Sequence, residues 1–153
     1  MTLFLVHHGD AVSPEVDTRR PLSARGQEEV ARVAADAAAR GAHPAIVWHS
    51  GKLRARQTAE AFWRQCNPFA EFSATRDLQP DDPPDWIRDR LRLETRDVLI
   101  AGHFMHLPRL LTLLLTPRAN SILGFPQHGV VALASDDEGE TWNELWRIEA
   151  RQT

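Results

Sequence analysis

The sequence predicts an α/β fold: a three-layer sandwich with a mostly parallel central sheet, helices on both faces and a C-terminal antiparallel hairpin. Three observations predict it. Short apolar runs alternate with longer segments whose apolar residues recur at helical spacing, the pattern of right-handed βαβ units. The runs "LFLV", "AIVW" and "DVLIAG" are apolar almost throughout, as strands covered on both faces must be. Near the end, "GVVALAS" and "WNELWRIEA" flank "DDEGE", a hairpin signature.

Taken in order, Leu3–Val6 is a short buried strand, followed by a loop through "GDAVSPEVDTRRP". Ser23 caps a helix that runs to about Arg40 and stops at Gly41, with Val30, Val33, Ala34, Ala37 and Ala38 on one stripe. Ala45–Trp48 is a second strand. Ser50 is expected to cap the next helix, which runs to about Gln65 with Ala55, Ala59, Phe62, Trp63 and Cys66 on one side. "EFSATRDL" suits a short edge strand, and "PDDPPDWIRDRLRL" a loop entering a helix, with its prolines at or before the first turn. Asp97–His103 is a third buried strand, "PRLLTLLL" an apolar helix, and the closing hairpin lies at one sheet edge, with Trp142 and Trp146 packing in it.

With 153 residues, a single domain over 1–153 is expected. The net charge of −3 gives no case for nucleic-acid or membrane-surface binding, so attraction to an anionic substrate has to be local. Cys66 is the only cysteine, which rules out an internal disulfide and a cysteine-built zinc site; its apolar context suits an inert buried thiol. No secretory signal pattern opens the chain. The most apolar stretch, Val98–Leu115, is broken by His103, His106, Pro108 and Arg109, too often for a membrane span. A cytoplasmic protein is expected.

In an open parallel sheet, ligands bind beyond the carboxyl ends of the strands. Three strands here end in "LVHHG", "VWHSGK" and "LIAGH", which puts His7, His8, Ser50 and His103 on one rim. Arg19, Arg20, Lys52, Arg54 and Arg56 come from adjoining segments. Imidazoles ringed by guanidiniums suit a tetrahedral oxyanion, most often phosphate.

The same residues resemble a known superfamily, the histidine phosphatases, which include the cofactor-dependent phosphoglycerate mutases. "HHG" (His7–Gly9) stands where that family has Arg-His-Gly, and "SGKLRARQTA" resembles its S-P-x-x-R-A-x-Q-T-A stretch. "RPLSARG" is similar to its R-P-L-T-x-x-G segment, and "VLIAGH" to the later Gly-His after a buried strand. The short chain resembles the phosphohistidine phosphatase branch typified by SixA. The resemblance implies that His8 attacks phosphorus and becomes phosphohistidine, which water then hydrolyses. It implies that Arg54 holds non-bridging oxygens and that His103 donates to the phosphoryl group in transit. His7, Gly9, Arg20 and Ser50 become substrate-binding candidates, with Gly9 allowing close backbone approach. Asp81 or Asp82, in "LQPDDPPD", is the candidate general acid for the leaving group. No metal or other cofactor is implied. The implied partners are a phosphorylated protein or a small phosphorylated metabolite, with no nucleic acid and no membrane.

The main departure is residue 7, histidine in place of arginine. Histidine is not permanently charged and presents fewer donors. A phosphate dianion beside it would raise its proton affinity, so weakened catalysis, better on the acidic side of neutrality, is expected. Ser50 is followed by glycine where the family often has proline. Among the remaining histidines, His43 reads as part of a loop and His49 as strand-end packing. His106 is an alternative to His103, less favoured because it does not directly follow the strand. His128 suits either the pocket lining or a turn. Arg56 falls on another helix face from Arg54. Two rival functions stand beside the phosphatase. One is a metallohydrolase built on His7, His8, Asp10, His49 and His103, which lacks HxH or HExxH spacing. The other is a phosphate-binding module whose catalysis is lost or weakened through His7.

Overall fold

The computed structural model describes residues 1–150. Its elements are β1 (Thr2–His7), α1 (Ala24–Ala39), β2 (Ile46–His49), α2 (Leu53–Cys66), β3 (Glu71–Ala74), α3 (Pro84–Arg92), β4 (Val98–Gly102), α4 (His106–Leu115), β5 (Val130–Ala134) and β6 (Asn143–Ile148). One six-stranded sheet has the order β3-β2-β4-β1-β5-β6. The pairs β1/β4, β2/β4 and β2/β3 are parallel, whereas β5 runs antiparallel to β1 and β6 antiparallel to β5. The expected mostly parallel sheet with a closing edge hairpin is therefore the fold observed.

Alternation of side chains divides the core into two layers. Phe4 and Val6 of β1 join Val30, Val33, Ala34 and Phe62 under α1 and α2. Leu3 and Leu5 face the other way, toward Ile87 and Leu91 of α3 and Leu107, Leu110 and Leu111 of α4. Leu3, Leu5, Ile100 and Phe62 are almost wholly buried. Each such side chain is worth about 1.5–3 kcal/mol relative to exposure.

Helix boundaries follow local chemistry with one exception. The Ser23 hydroxyl accepts the Gly26 N–H at 3.0 Å, and α1 gives way to Gly41 at φ +90°. Pro84 occupies the first turn of α3, where its missing N–H costs nothing. Ser50 does not cap α2. The residue before that helix is Lys52, with no side-chain cap; the Ser50 hydroxyl lies two residues earlier, where it accepts the Lys52 N–H at 3.4 Å and meets His103. β3 keeps only the first half of "EFSATRDL", and α4 begins at His106, ahead of Pro108.

The parallel register is what assembles the rim. His7 lies opposite Gly102 on β4, and Ala101 lies opposite His49 on β2. Three strands thus finish level with one another, and the residues that follow them emerge side by side.

Candidate active site

The end of β1 is held from both sides. The His7 N–H donates to the Gly129 carbonyl at 3.0 Å and the His8 N–H to the Gly102 carbonyl at 3.1 Å. His8 then places Nδ1 2.7 Å from the Gly9 carbonyl. A carbonyl can only accept, so the proton sits on Nδ1 and Nε2 carries the lone pair. Burial, and to a smaller extent Arg54, His128 and Arg20, pull the His8 pKa down to about 4 against the opposing Gly9 bond. At neutral pH this imidazole is uncharged with a free nitrogen, the form that can attack phosphorus.

His7 has the opposite tautomer. Its Nδ1 accepts the His128 N–H at 2.7 Å, which leaves hydrogen on Nε2. The ring is slotted between Phe104, 4.2 Å away and nearly parallel, and His128, at 4.9 Å. Burial first, then the neighbouring imidazoles and Arg54, push its pKa to about 2. A second proton on this ring would have to displace the hydrogen bond that its Nδ1 already holds. His7 is a neutral N–H donor.

His103 emerges from β4 with its ring 5.1 Å from that of His8. Its Nε2 lies 2.6 Å from the Ser50 hydroxyl, and burial, then His8 and Arg54, lower its pKa to about 3. Ser50 thereby orients His103 rather than presenting a free hydroxyl. Gln79, which sequence reasoning did not single out, donates to the Ser50 carbonyl at 2.8 Å and steadies the same corner. His106 is fully buried at the start of α4, with neither ring nitrogen hydrogen-bonded. Of the two, His103 is the one beside His8.

Arg54 lies in the first turn of α2, with a buried Nε that has no partner. Burial and the nearby Arg20 both lower its pKa, so the two guanidiniums feel each other. Arg20, at φ +50°, donates its Nε to the Val12 carbonyl. Among the described residues no carboxylate forms an ion pair with either arginine, whereas Arg19 and Arg56 are paired with Asp17 and Glu60 at the surface. Gln57 and Thr58 explain why α2 sits here. Gln57 accepts the Leu22 N–H at 2.7 Å, and Thr58 accepts the Gly9 N–H at 3.0 Å while donating to the Arg54 carbonyl.

Gly9 needs its missing Cβ for a different reason from the one expected. A Cβ there would come within 2.4 Å of Val30 Cγ2, and its N–H is already bound to Thr58. The glycine lets α1 pack, and its carbonyl sets the His8 tautomer. Asp82 accepts the Gln79 N–H in a closed turn, and Asp81 is exposed. Neither has a contact with His8, Arg54 or His103 among the interactions of the described residues. Cys66 is buried, with its thiol pushed up to about 11 by burial, and is unreactive. The His43 ring bonds the Cys66 carbonyl, and Lys52 lies close enough to act on His103.

His128 joins the cluster. Its Nδ1 lies 2.7 Å from the His8 carbonyl, and its ring stacks on His7. One ring nitrogen from each of His7, His8 and His128 lies within 4.8 Å of the others. As a metal site this set is one ligand short. His8 and His128 can offer Nε2, but the accepting nitrogen of His7 is taken and its other nitrogen bears hydrogen, whereas catalytic zinc takes three protein ligands. Arg54 and Arg20 oppose a cation as well. Asp10 is spent on Ser23 at 2.6 Å and on Arg25, and the His49 Nδ1 accepts the Gly51 N–H. The metal-binding set expected for the rival reading is not assembled.

No family model and no curated protein matches the chain. Solved structures do. A protein histidine phosphatase SixA complexed with tungstate superposes with a TM-score of 0.85 at 22% identity, over 98% of this chain and 97% of that one. A SixA from Agrobacterium tumefaciens, assigned as a phosphohistidine phosphatase, gives 0.76 at 20% identity, over 96% of each chain. A phosphoserine phosphatase from Entamoeba histolytica, in complex with 3-phosphoglyceric acid, gives 0.67 at 14% identity, over 95% of each chain. The chain has the histidine phosphatase fold along essentially its whole length.

Proposed function

We propose that this chain of histidine phosphatase fold is a phosphatase working through a phosphohistidine on His8. One observation carries the reading. A neutral imidazole with a free Nε2 stands beside His103 and near two guanidiniums that no carboxylate neutralises. Such a place attracts a dianion and presents a nucleophile to it.

In the first step His8 Nε2 forms a bond to phosphorus as the bond to the leaving group breaks. Arg54 and Arg20 offset the charge on the non-bridging oxygens. His103, held by Ser50, supplies a hydrogen bond to the flattened phosphoryl group. The leaving group departs with the bonding pair and takes a proton from solvent or from a nearby acid, for which Asp81 and Asp82 are candidates. Water then attacks phosphorus, frees His8 and gives inorganic phosphate.

The substrate class is a phosphohistidine protein or a small phosphoester. The similar SixA structures favour the former, and its labile P–N bond depends less on a leaving-group acid. With histidine at residue 7, a rate below that of arginine-bearing relatives is expected. No helix among the described residues is long and apolar enough to cross a membrane, in keeping with action on soluble, cytoplasmic phosphate compounds. The second reading, a phosphate-binding module, is favoured by one observation, the substitution at residue 7.

A panel of phosphoesters and phosphoramidates at two pH values, run beside His8→Ala, tests the proposal. Turnover that resists chelators, is lost in His8→Ala and leaves a mass-detectable phosphate on His8 is the expected result. Phosphate binding without any label on His8 would establish the binding module instead.

A further inference from the structure

His128 was open between two roles in the sequence, and the phosphatase reading above does not use it. Its surroundings point to one. Three groups fix its ring: the Nδ1 contact to the His8 carbonyl at 2.7 Å, the stacking on His7 at 4.9 Å, and a backbone at φ +56° that turns the chain sharply into β5. The carbonyl requires hydrogen on Nδ1, so Nε2 is the nitrogen free to act. Ring nitrogens of His7, His8 and His128 within 4.8 Å of one another are close enough for one tetrahedral anion to touch all three.

Charges of both signs stand around it. His7 of β1 and His8 just after it are held neutral. From the outer side, Glu29 of α1 and Glu149 beyond β6 line, together with His128, a cavity of about 320 Å³. Glu29 is only 3% exposed and one of its carboxylate oxygens has no hydrogen-bond partner. Arg54 of α2 is the opposing charge, and a bound phosphoryl dianion would stand against it. His128 can gain a proton at Nε2 without losing its bond to His8. His7 cannot gain one without losing the His128 N–H.

We infer that His7 and His128 together replace the arginine that this fold's relatives carry at position 7. His128 binds the phosphoryl group as an imidazolium and supplies the charge, while neutral His7 supplies a second N–H from Nε2. The inference rests on the phosphatase reading and adds a phosphate-binding residue to it.

His128→Asn is the informative variant. Asparagine tolerates positive φ, and its Nδ2 can keep the donation to the His8 carbonyl while Nε2 is deleted. With p-nitrophenyl phosphate as probe, the wild-type kcat should fall from the acidic to the alkaline side of neutrality. His128→Asn should lower kcat/KM on the acidic side by at least about tenfold, as expected for loss of a hydrogen bond to a charged group, and should flatten that fall. An unchanged rate and an unchanged profile in His128→Asn, with His8→Ala inactive, would overturn the inference and leave the phosphatase reading standing. Full activity in His8→Ala would instead remove the phosphatase reading itself. Nitrogen-15 NMR of the wild-type protein needs no variant. On addition of inorganic phosphate, His128 should show both nitrogens protonated while His7 stays neutral with hydrogen on Nε2. A neutral His128 in the phosphate-loaded protein, or a charged His7, would refute the division of labour even where turnover is absent.

Discussion

Two adjacent histidines at the end of one strand carry opposite tautomers, and a single hydrogen bond each decides it. The Gly9 carbonyl leaves the His8 Nε2 lone pair free, and the His128 N–H leaves hydrogen on Nε2 of His7. For His8 the consequence is an acid limit. Protonation removes the Nε2 lone pair, so kcat/KM should decline as pH drops through about 4, the value to which burial and cationic neighbours lower it. A decline centred near 6.5 would show that His8 is not desolvated as described. For residue 7, the slot between Phe104 and His128 is planar and suits a guanidinium as well as an imidazole. His7→Arg should raise kcat/KM on a generic phosphate ester, because one side chain would then hold both charge and fork. A lower value would mean that residue 7 does not face the phosphate.

At the scale of elements, the β1–α1 junction is the tightest joint. A Cβ on Gly26 would lie 2.1 Å from the Asp10 carbonyl oxygen, two residues beyond His8. Gly26→Ala should force Asp10 away, destabilise the fold by about 1–3 kcal/mol in urea unfolding and reduce turnover together with it. Full stability would show that the joint is slack. How much could be read beforehand follows from which contacts are local. The strand endings, the Ser23 cap and the "RARQTA" helix could be read because each is set by residues within one or two turns of one another. The cap at Ser50 was misread because α2 starts only at Leu53, and the Ser50 hydroxyl also meets His103, 53 residues away. His128 could not be assigned, since only the antiparallel pairing of β5 with β1 brings it to His7, 121 residues distant. Gln79 was passed over for the same reason, and Gln57 and Thr58, though they stand in the quoted "SGKLRARQTA" stretch, gave no sign there of what they bond. Their side chains bond backbone groups of other segments, and polar residues on helices and turns carry no mark of that in sequence.

For the whole molecule, the site is a source of acid instability. His7, His8 and His103 are lowered to about 2, 4 and 3, against 6.5 when unfolded. Their contribution is fully present above pH 6.5. As pH falls below it, the unfolded chain takes up protons that the native state refuses, and stability drops by up to about 1.4 kcal/mol per pH unit for each group. The urea midpoint should therefore fall between pH 7 and pH 5, and a flat midpoint would contradict the buried neutral cluster. Inorganic phosphate at a hundredfold excess over its dissociation constant should restore about 2.7 kcal/mol at neutral pH. The placement of β1 between β4 and β5 bears on how the chain comes to be folded at all. β1 precedes both of its neighbours in the sequence, so it must wait for Val98–Gly102 on one side and Val130–Ala134 on the other. Until Val130–Ala134 has been made, one edge of β1 stays open beside His8. Nascent chains ending before Val130 should thus remain sensitive to protease, with resistance following once β5 has emerged.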